Sequence, residues 1–411
     1  MTTLIKNIQQ LAGVTKNPQL LKGADMNILP SLQDAYLIIE GEEIAEYGLM
    51  NDLKYSDERN TMDATGQLVL PCWCDSHTHL VYAASRENEF IDKINGKTYA
   101  EIAAKGGGIL NSAKRLNETS EDELFKSTWQ RVQQIKSLGT GAVEIKSGYG
   151  LSVEGELKML RVIKKLKEKS DVIIKSTFLG AHAYPEPFKN DHQGYINLII
   201  EEMLPVIARE KLADYIDVFC EEGFFSVAET EQILEAGKHY GLKPKIHANQ
   251  LSISGGVQVG VKHNAVSVDH LETMAVEEIE CLKNSNTIAT ALPTAAFFLR
   301  MQYPPVREML NNNIAVALAT DFNPGSSPSG NMPLLIAISC IQMKMTPEEA
   351  INAATINGAY AMEIQHEAGS ITVGKKANLI FTKPLPSLAY MPYSFGENLI
   401  DKVMIKGEFE M

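Results

Sequence analysis

The stretch Leu68-Val-Leu-Pro-Cys72-Trp-Cys74-Asp75-Ser-His77-Thr-His79 decides the fold. An apolar run of strand length ends in acidic and imidazole side chains, so a buried strand delivers polar groups to one end. In an extended chain residues two apart share a face, which sends His77 and His79 one way and Cys72 and Cys74 the other. Alone, a His-x-His pair fits packed or surface histidines as well as metal ligands, so the question is whether the pattern repeats.

It does repeat. Further apolar runs occur at Gly141–Ser147, Val172–Leu179, Tyr215–Glu221, Pro244–His247, Ala265–His270, Thr287–Leu292 and Ile314–Asp321. Amphipathic stretches such as Glu154–Lys167, Glu229–His239 and Val276–Asn284 separate several of them. Eight strand–helix units over roughly 300 residues match an α/β fold, the closed (β/α)8 TIM-like barrel, whose active sites lie at the C-terminal ends of its strands. A doubly wound open sheet is the alternative, but no Gly-x-Gly-x-x-Gly turn follows an early strand.

Outside the barrel, Ala35–Glu40, Ile44–Tyr47, Ala377–Phe381 and Lys402–Lys406 read as strands. Both ends of the chain are therefore expected to build a small β-sandwich domain. The expected boundaries are residues 1–67 for its first part, 68–366 for the barrel and 367–411 for its second part.

Chemistry-bearing residues cluster at the strand ends. The fifth run leads into Lys245-Ile-His247-Ala-Asn-Gln250, the sixth into Val268-Asp-His270-Leu-Glu272, and the eighth into Asp321. Ala315, Ala317 and Ala319 share parity with Asp321, placing small residues toward a narrow barrel centre. One buried His or Asp is ordinarily a satisfied structural group, whereas four such strand ends converging point to a metal. Three imidazoles and a carboxylate form the N/O set that zinc prefers and iron tolerates, with a position open for water. A metal lowers the pKa of that water toward ~7. A neighbouring carboxylate can take its proton and return it to a leaving nitrogen. Asp321 is the candidate for both ligand and proton shuttle, and His270 for polarising a carbonyl or steadying the oxyanion. These features predict hydrolysis of a carbon–nitrogen bond in a small ring substrate.

Composition narrows the partners. The chain has 411 residues, 45% hydrophobic and 22% charged, as in an ordinary globular protein. A net charge of -13 argues against nucleic acid but not against a small anion, since a local Arg or a metal can outweigh the global sign. Five scattered cysteines form no disulfide framework, and no apolar run suits a signal peptide or a membrane span. The expected location is the cytoplasm.

Several segments are more specific. They are Asp75-Ser-His-Thr-His-Leu80, Ser85-Arg-Glu-Asn-Glu-Phe90, Lys105-Gly-Gly-Gly-Ile109 and Lys146-Ser-Gly-Tyr-Gly-Leu151. Further along come Phe178-Leu-Gly-Ala-His182-Ala, Phe219-Cys-Glu-Glu-Gly223, Ile246-His-Ala-Asn-Gln250 and Thr320-Asp-Phe-Asn-Pro-Gly-Ser326. On these the chain resembles the amidohydrolase superfamily and, nearly end to end, its imidazolonepropionase family of histidine degradation. The resemblance implies hydrolysis of 4-imidazolone-5-propanoate to N-formimidoyl-L-glutamate. It also implies one metal ion, Zn2+ or Fe3+, held by His77, His79, His247 and Asp321. Arg86, Tyr149, His182, Gln250, Asn323, Gly325 and Ser326 match positions that contact substrate or product. A homodimer is usual for such a barrel.

The residues support that reading on their own terms. A guanidinium fork at Arg86 suits a propionate, the alternative being a surface Arg paired with Glu87 or Glu89. Tyr149 sits between glycines in a tight loop that lets backbone approach a ligand, or in an ordinary turn. His182 ends the third run, where it can hydrogen-bond the ring or the carboxylate. The amides and hydroxyl of Asn323–Ser326 can cradle a carboxylate. Gln250 stands where related deaminases carry Glu, and an amide binds a ring but shuttles no proton. Lys146 and Lys245 also fall in strands, and Lys245 points inward below the site, paired with Glu144 or Asp75. A carbamylated lysine bridging two metals would need a Lys in Tyr215–Glu221, which has none, so one metal is expected. Gly106-Gly-Gly108 lacks the Gly-Lys-Ser/Thr of a phosphate loop and lends flexibility near the mouth. The competing readings are an aminopurine- or cytosine-type deaminase, weakened by Gln250 and Arg86, and a non-enzymatic metal-binding barrel.

Overall fold

The computed structural model describes residues 2–54, 60–97, 101 and 107–410. The N-terminal strands are β1 (Thr2–Ala12), β2 (Ser31–Glu40), β3 (Glu43–Leu49), β4 (Asn60–Asp63) and β5 (Gln67–Pro71). Next come β6 (Trp73–Thr78), β7 (Thr140–Lys146), β8 (Ile173–Ala181), β9 (Tyr215–Cys220), β10 (Lys243–Ala248), β11 (Ser267–His270), β12 (Ile288–Ala291) and β13 (Val316–Leu318). The last are β14 (Leu379–Pro384), β15 (Ile400–Ile405) and β16 (Glu408–Phe409).

Strands β6 to β13 pair in sequence order, each parallel to its neighbours. The ring is completed where Thr78 bridges Phe322, His79 N–H donates to Phe322 O at 2.9 Å and Asp321 N–H donates to His77 O at 3.0 Å. Closure therefore sets the last strand's tip against the first, which brings Asp321 beside His77 and His79. The architecture is the expected (β/α)8 barrel.

Capped amphipathic helices cover the strands. Val153–Lys169 begins at Ser152, whose Oγ accepts from Gly155 N–H at 3.1 Å, and buries Leu157, Leu160 and Ile163. Its first turn carries Glu154 and Glu156 and its last Lys167 and Lys169, matching the helix dipole.

The remaining strands form one sheet in the order β16-β15-β14-β5-β1-β2-β3, with β4 on β1. It curls until β3 reaches the segment before β14: Glu43 bridges Lys376 and Ile44 N–H donates to Lys375 O at 2.9 Å. Ile5, Leu11, Leu37, Val69, Leu379 and Phe381 fill the space enclosed. Both termini thus contribute to a second, sandwich-like sheet.

Two expected strands differ. Leu68–Asp75 divides into β5 in the terminal sheet and β6 in the barrel. The crossover lies between adjacent amides: Cys72 N–H donates to Asn378 O in the first body at 3.0 Å, and Trp73 N–H to Gly139 O in the second at 2.9 Å. The run stays apolar because both sheets bury it. The eighth run is ordered as strand only over Val316–Leu318, and Asp321 has φ +54°, so alternation along the strand does not reach it.

Of the glycine-rich segment, Lys105 and Gly106 lie outside the described residues. Gly108 has φ +83° at the start of the helix Gly108–Glu118, and its N–H donates to Glu89 Oε1 at 3.0 Å. Among the described residues no helix is long and apolar enough to cross a membrane.

Candidate metal centre

His77 lies in β6, His79 just beyond it, His247 in β10 and His270 at the end of β11. All are buried, as is Asp321. His247 Nε2 lies 3.4 Å from His79 Nε2, and Asp321 Oδ1 lies 3.6 Å from Nε2 of both His77 and His79. Ligands at ~2.1 Å around a tetrahedral ion stand about 3.4 Å apart, so these atoms already have ligand spacing.

The tautomer of His77 agrees. His77 Nδ1 meets Asp269 Oδ2 at 2.7 Å; the carboxylate accepts, so Nδ1 carries the proton and Nε2 a lone pair. That buried Nε2 has no hydrogen-bond partner among the described residues. Burial, and then the nearby Lys146 and histidines, hold His77 well below the usual imidazole pKa. Burial does the same for His79. Neutral imidazoles aiming lone pairs at one point are unfavourable unless a cation occupies it, so the donor set fits a metal ion.

Below the ligands is a fully buried charged layer that sequence reading saw only in part. Glu144, Lys146, Asp217, Lys245 and Asp269 are all inaccessible. Lys146 Nζ donates to Glu144 Oε1 at 2.6 Å and Asp217 Oδ2 at 2.8 Å, and lies 3.5 Å from Asp269 Oδ2. Asp217 Oδ2 in turn lies 3.0 Å from His247 Nδ1. Lys245 pairs with Glu144, one of its two expected partners. The other, Asp75, instead accepts from Thr320 N–H at 2.9 Å and Thr320 Oγ at 2.6 Å. Charged residues inside apolar strands at Asp217 and Asp269 were the available signal.

His270 faces His77 and His247 with ring centroids 5.6 and 5.2 Å away. Burial disfavours its protonated form, but Glu272, 3.3 Å from Nδ1, together with Asp321 and Asp269 outweighs this and raises its pKa. His270 and Asp321 both have positive φ, +86° and +54°, a strained backbone found where side chains are aimed for function.

The other expected contacts surround this centre. Tyr149 is buried, its ring 5.8 Å from His79 and 5.5 Å from His182. His182 stacks on His79 at 5.3 Å, and its Nδ1 donates to Gly148 O at 3.0 Å, leaving Nε2 as an acceptor. Burial, then His247, pushes His182 down to about 3, so it is neutral. The Gly148–Leu151 loop, which carries Tyr149, is held by Glu156, whose carboxylate accepts from Gly148, Gly150 and Leu151 N–H at 2.9, 2.7 and 3.0 Å. Gln250 is half-buried three residues after His247, in a loop anchored by Glu221, which accepts from Leu251 N–H at 2.9 Å. Sequence reading missed both glutamates because each acts through backbone amides of its own or a neighbouring loop.

Arg86 pairs with Glu89, one of the two acidic neighbours expected for it. Nε donates to Glu89 at 2.8 Å, while Nη1 lies so close over Gly325 that a Cβ there would meet it at 2.4 Å. The Asn323–Ser326 loop corrects an expectation. Its Gly325 and Ser326 amides donate to Asn323 Oδ1 at 2.7 and 2.8 Å, closing an Asx-type turn instead of facing outward as a carboxylate cradle. Asn323 Nδ2 is also held within the loop, by Asp321 O and Ser326 Oγ, both at 2.6 Å.

A parallel eight-stranded barrel with this histidine–aspartate cluster at its strand tips defines an amidohydrolase. The Amidohydrolase family model matches residues 223–409. An imidazolonepropionase of Flavobacterium johnsoniae is 59% identical over 99% of this chain and 100% of its own length. One from Christiangramia forsetii is 55% identical over the same shares. The chain belongs to the imidazolonepropionase family. Guanine deaminase from C. acetobutylicum with bound guanine has the same fold, with TM-score 0.72 and 18% identity, covering 100% of both chains. A mutant of atrazine chlorohydrolase TrzN from Arthrobacter aurescens TC1, complexed with zinc and atraton, gives 0.70 at 14% identity over 99% of this chain and 94% of the other.

Proposed function

We propose that the chain hydrolyses 4-imidazolone-5-propanoate to N-formimidoyl-L-glutamate, with His77, His79, His247 and Asp321 holding one metal ion, Zn2+ or Fe3+. The observation that carries this reading is that ligand atoms of His77, His79 and His247 lie within 4.8 Å of one another at the barrel mouth, with Asp321 Oδ1 3.6 Å from two of them. The shared name of full-length relatives supports the substrate. When bound, the metal supplies a Lewis acid that makes hydroxide available near neutral pH.

The chain's own residues do the rest. As water adds to the ring carbonyl carbon, Asp321 accepts its proton at the carboxylate. The same proton passes to the ring nitrogen as the carbon–nitrogen bond breaks. Glu272 accepts from His270 Nδ1–H and, with Asp321 and Asp269, favours the imidazolium form, whose Nε2–H donates to the developing oxyanion. The acceptor Nε2 of His182 and the amide of Gln250 orient the ring, beside Tyr149. Arg86 binds the propionate, and Nη1, which makes no hydrogen bond among the described residues, is its first point of contact. Gly325, lacking a side chain, makes room for that guanidinium, while Asn323 and Ser326 shape the loop beneath it. The reading extends to a cytoplasmic homodimer, for which free thiols and sedimentation of the purified protein are the checks.

Purified protein loaded with Zn2+ or Fe3+ and given the imidazolone tests this reading. The ring's ultraviolet absorbance should disappear with both nitrogens retained in the product. Stoichiometric ammonia in the first turnover, or unchanged absorbance, would overturn it.

A further inference from the structure

Two of the proposed ligand imidazoles lie against carboxylates from different strands. Asp269 on β11 meets His77 across the barrel, and Asp217 on β9 meets His247 on the adjacent β10. Partners of this kind set ring orientation and ligand basicity, and removing one typically costs about 10–100-fold in metal affinity. Each carboxylate uses Oδ2 for its histidine. Those same oxygens are the ones that Lys146 Nζ approaches, at 2.8 Å for Asp217 and 3.5 Å for Asp269.

We infer that Lys146 is the positioning residue of the metal centre, one ammonium group tying together the two carboxylates that orient His77 and His247. The inference rests on the ligand assignment proposed above. Lys146 ends β7, next to β6, so its side chain reaches the barrel axis from the strand beside His77. It touches no ligand atom in its ion pairs and acts through Asp217 and Asp269. Glu144 fixes it from a third side at 2.6 Å, which leaves the Nζ little freedom.

Lys245 separates positioning from simple charge balance. It is equally buried and carries the same formal charge in the same layer, but among the described residues its ion-pair partner is Glu144 alone. If Lys146 merely offsets buried carboxylates, removing either ammonium has the same consequence. If it aligns the two carboxylates, only Lys146 matters to the ligands.

The experiment compares metal-free wild type, Lys146→Met and Lys245→Met, titrated with Zn2+ against a chromophoric chelator. Thermal unfolding of the metal-free proteins measures the structural cost separately. Wild type should take one Zn2+ per chain, Lys146→Met should bind it about 10–100-fold more weakly, and Lys245→Met should stay within about threefold of wild type. Should Lys146→Met not fold, Lys146→Gln, whose amide donates to Asp217 without carrying charge to Asp269, takes its place with the same expectation. Wild-type affinity in the Lys146 variant, or equal weakening in both, overturns the inference. Failure of wild type itself to bind one Zn2+ would instead overturn the ligand assignment.

Discussion

Ser326 Oγ donates to Asp321 Oδ2 at 3.0 Å, while Oδ1 of the same carboxylate faces His77 and His79 at 3.6 Å. The hydroxyl thus decides which oxygen points at the ligand cluster. A hydrogen bond to a charged group is worth about 1.5–3 kcal/mol. Ser326→Ala should therefore weaken metal binding by about tenfold or more, read by chelator competition. Unchanged affinity would leave Ser326 with a loop-shaping role only.

His247→Ala and Asp321→Ala each remove a ligand atom from a buried cluster with little room for a replacement. Both variants should lose bound metal and turnover together. Elemental analysis showing full metal with near-normal activity in either one would remove that residue from the ligand set.

For Arg86 the expected effect is on substrate, not metal. Removing one partner of a desolvated charged pair costs roughly 2–5 kcal/mol, so Arg86→Ala should raise KM strongly at unchanged metal content. Its pairing with Glu89 sets the contrast: equal KM in Arg86→Ala and wild type would confine the guanidinium to that ion pair.

Glu156 collects three backbone N–H groups, and Gly148, one of their owners, accepts from His182 through its carbonyl. In Glu156→Gln the side-chain NH2 must face an amide N–H, which loosens the loop carrying Tyr149. KM should rise several-fold while metal content holds. A variant with wild-type KM would show that the loop keeps its shape without the carboxylate.

Lys375 offers a test by pH. Burial lowers its ammonium to about 8 from 10.5, against the opposing influence of Cys74. With the folded-state pKa below the unfolded one, the protonated group costs stability at neutral pH, and that cost fades as pH rises from about 8 toward 10. The stability of wild type relative to Lys375→Met should therefore improve across that window in denaturant unfolding. A flat difference would mean that the amine keeps its ordinary pKa, satisfied by Ala368 O and Ser370 Oγ, each at 2.8 Å.

The barrel was legible because parallel strands buried on both faces leave continuous apolar runs, and function sits where those runs end in His or Asp. His77, His79, His247, His270 and Asp321 were all visible in this way. The same burial hid the break at Cys72–Trp73, since an apolar run does not record that its two halves serve different sheets. Asp321 was read at the end of its run and in alternation with Ala315, Ala317 and Ala319; its place in the run held, whereas its left-handed backbone interrupts the alternation.

The sequence by itself determined the eight-strand rhythm, the ligand types and the family, because these depend on local pattern and on side-chain chemistry. Only the tertiary structure decided which carboxylate serves which imidazole, that Lys146 joins Asp217 to Asp269, and that the Asn323 side chain takes up the loop amides. These are contacts between strands 71 and 192 residues apart in sequence, or between loop atoms whose direction depends on two backbone angles. Local sequence carries no record of either until the barrel closes.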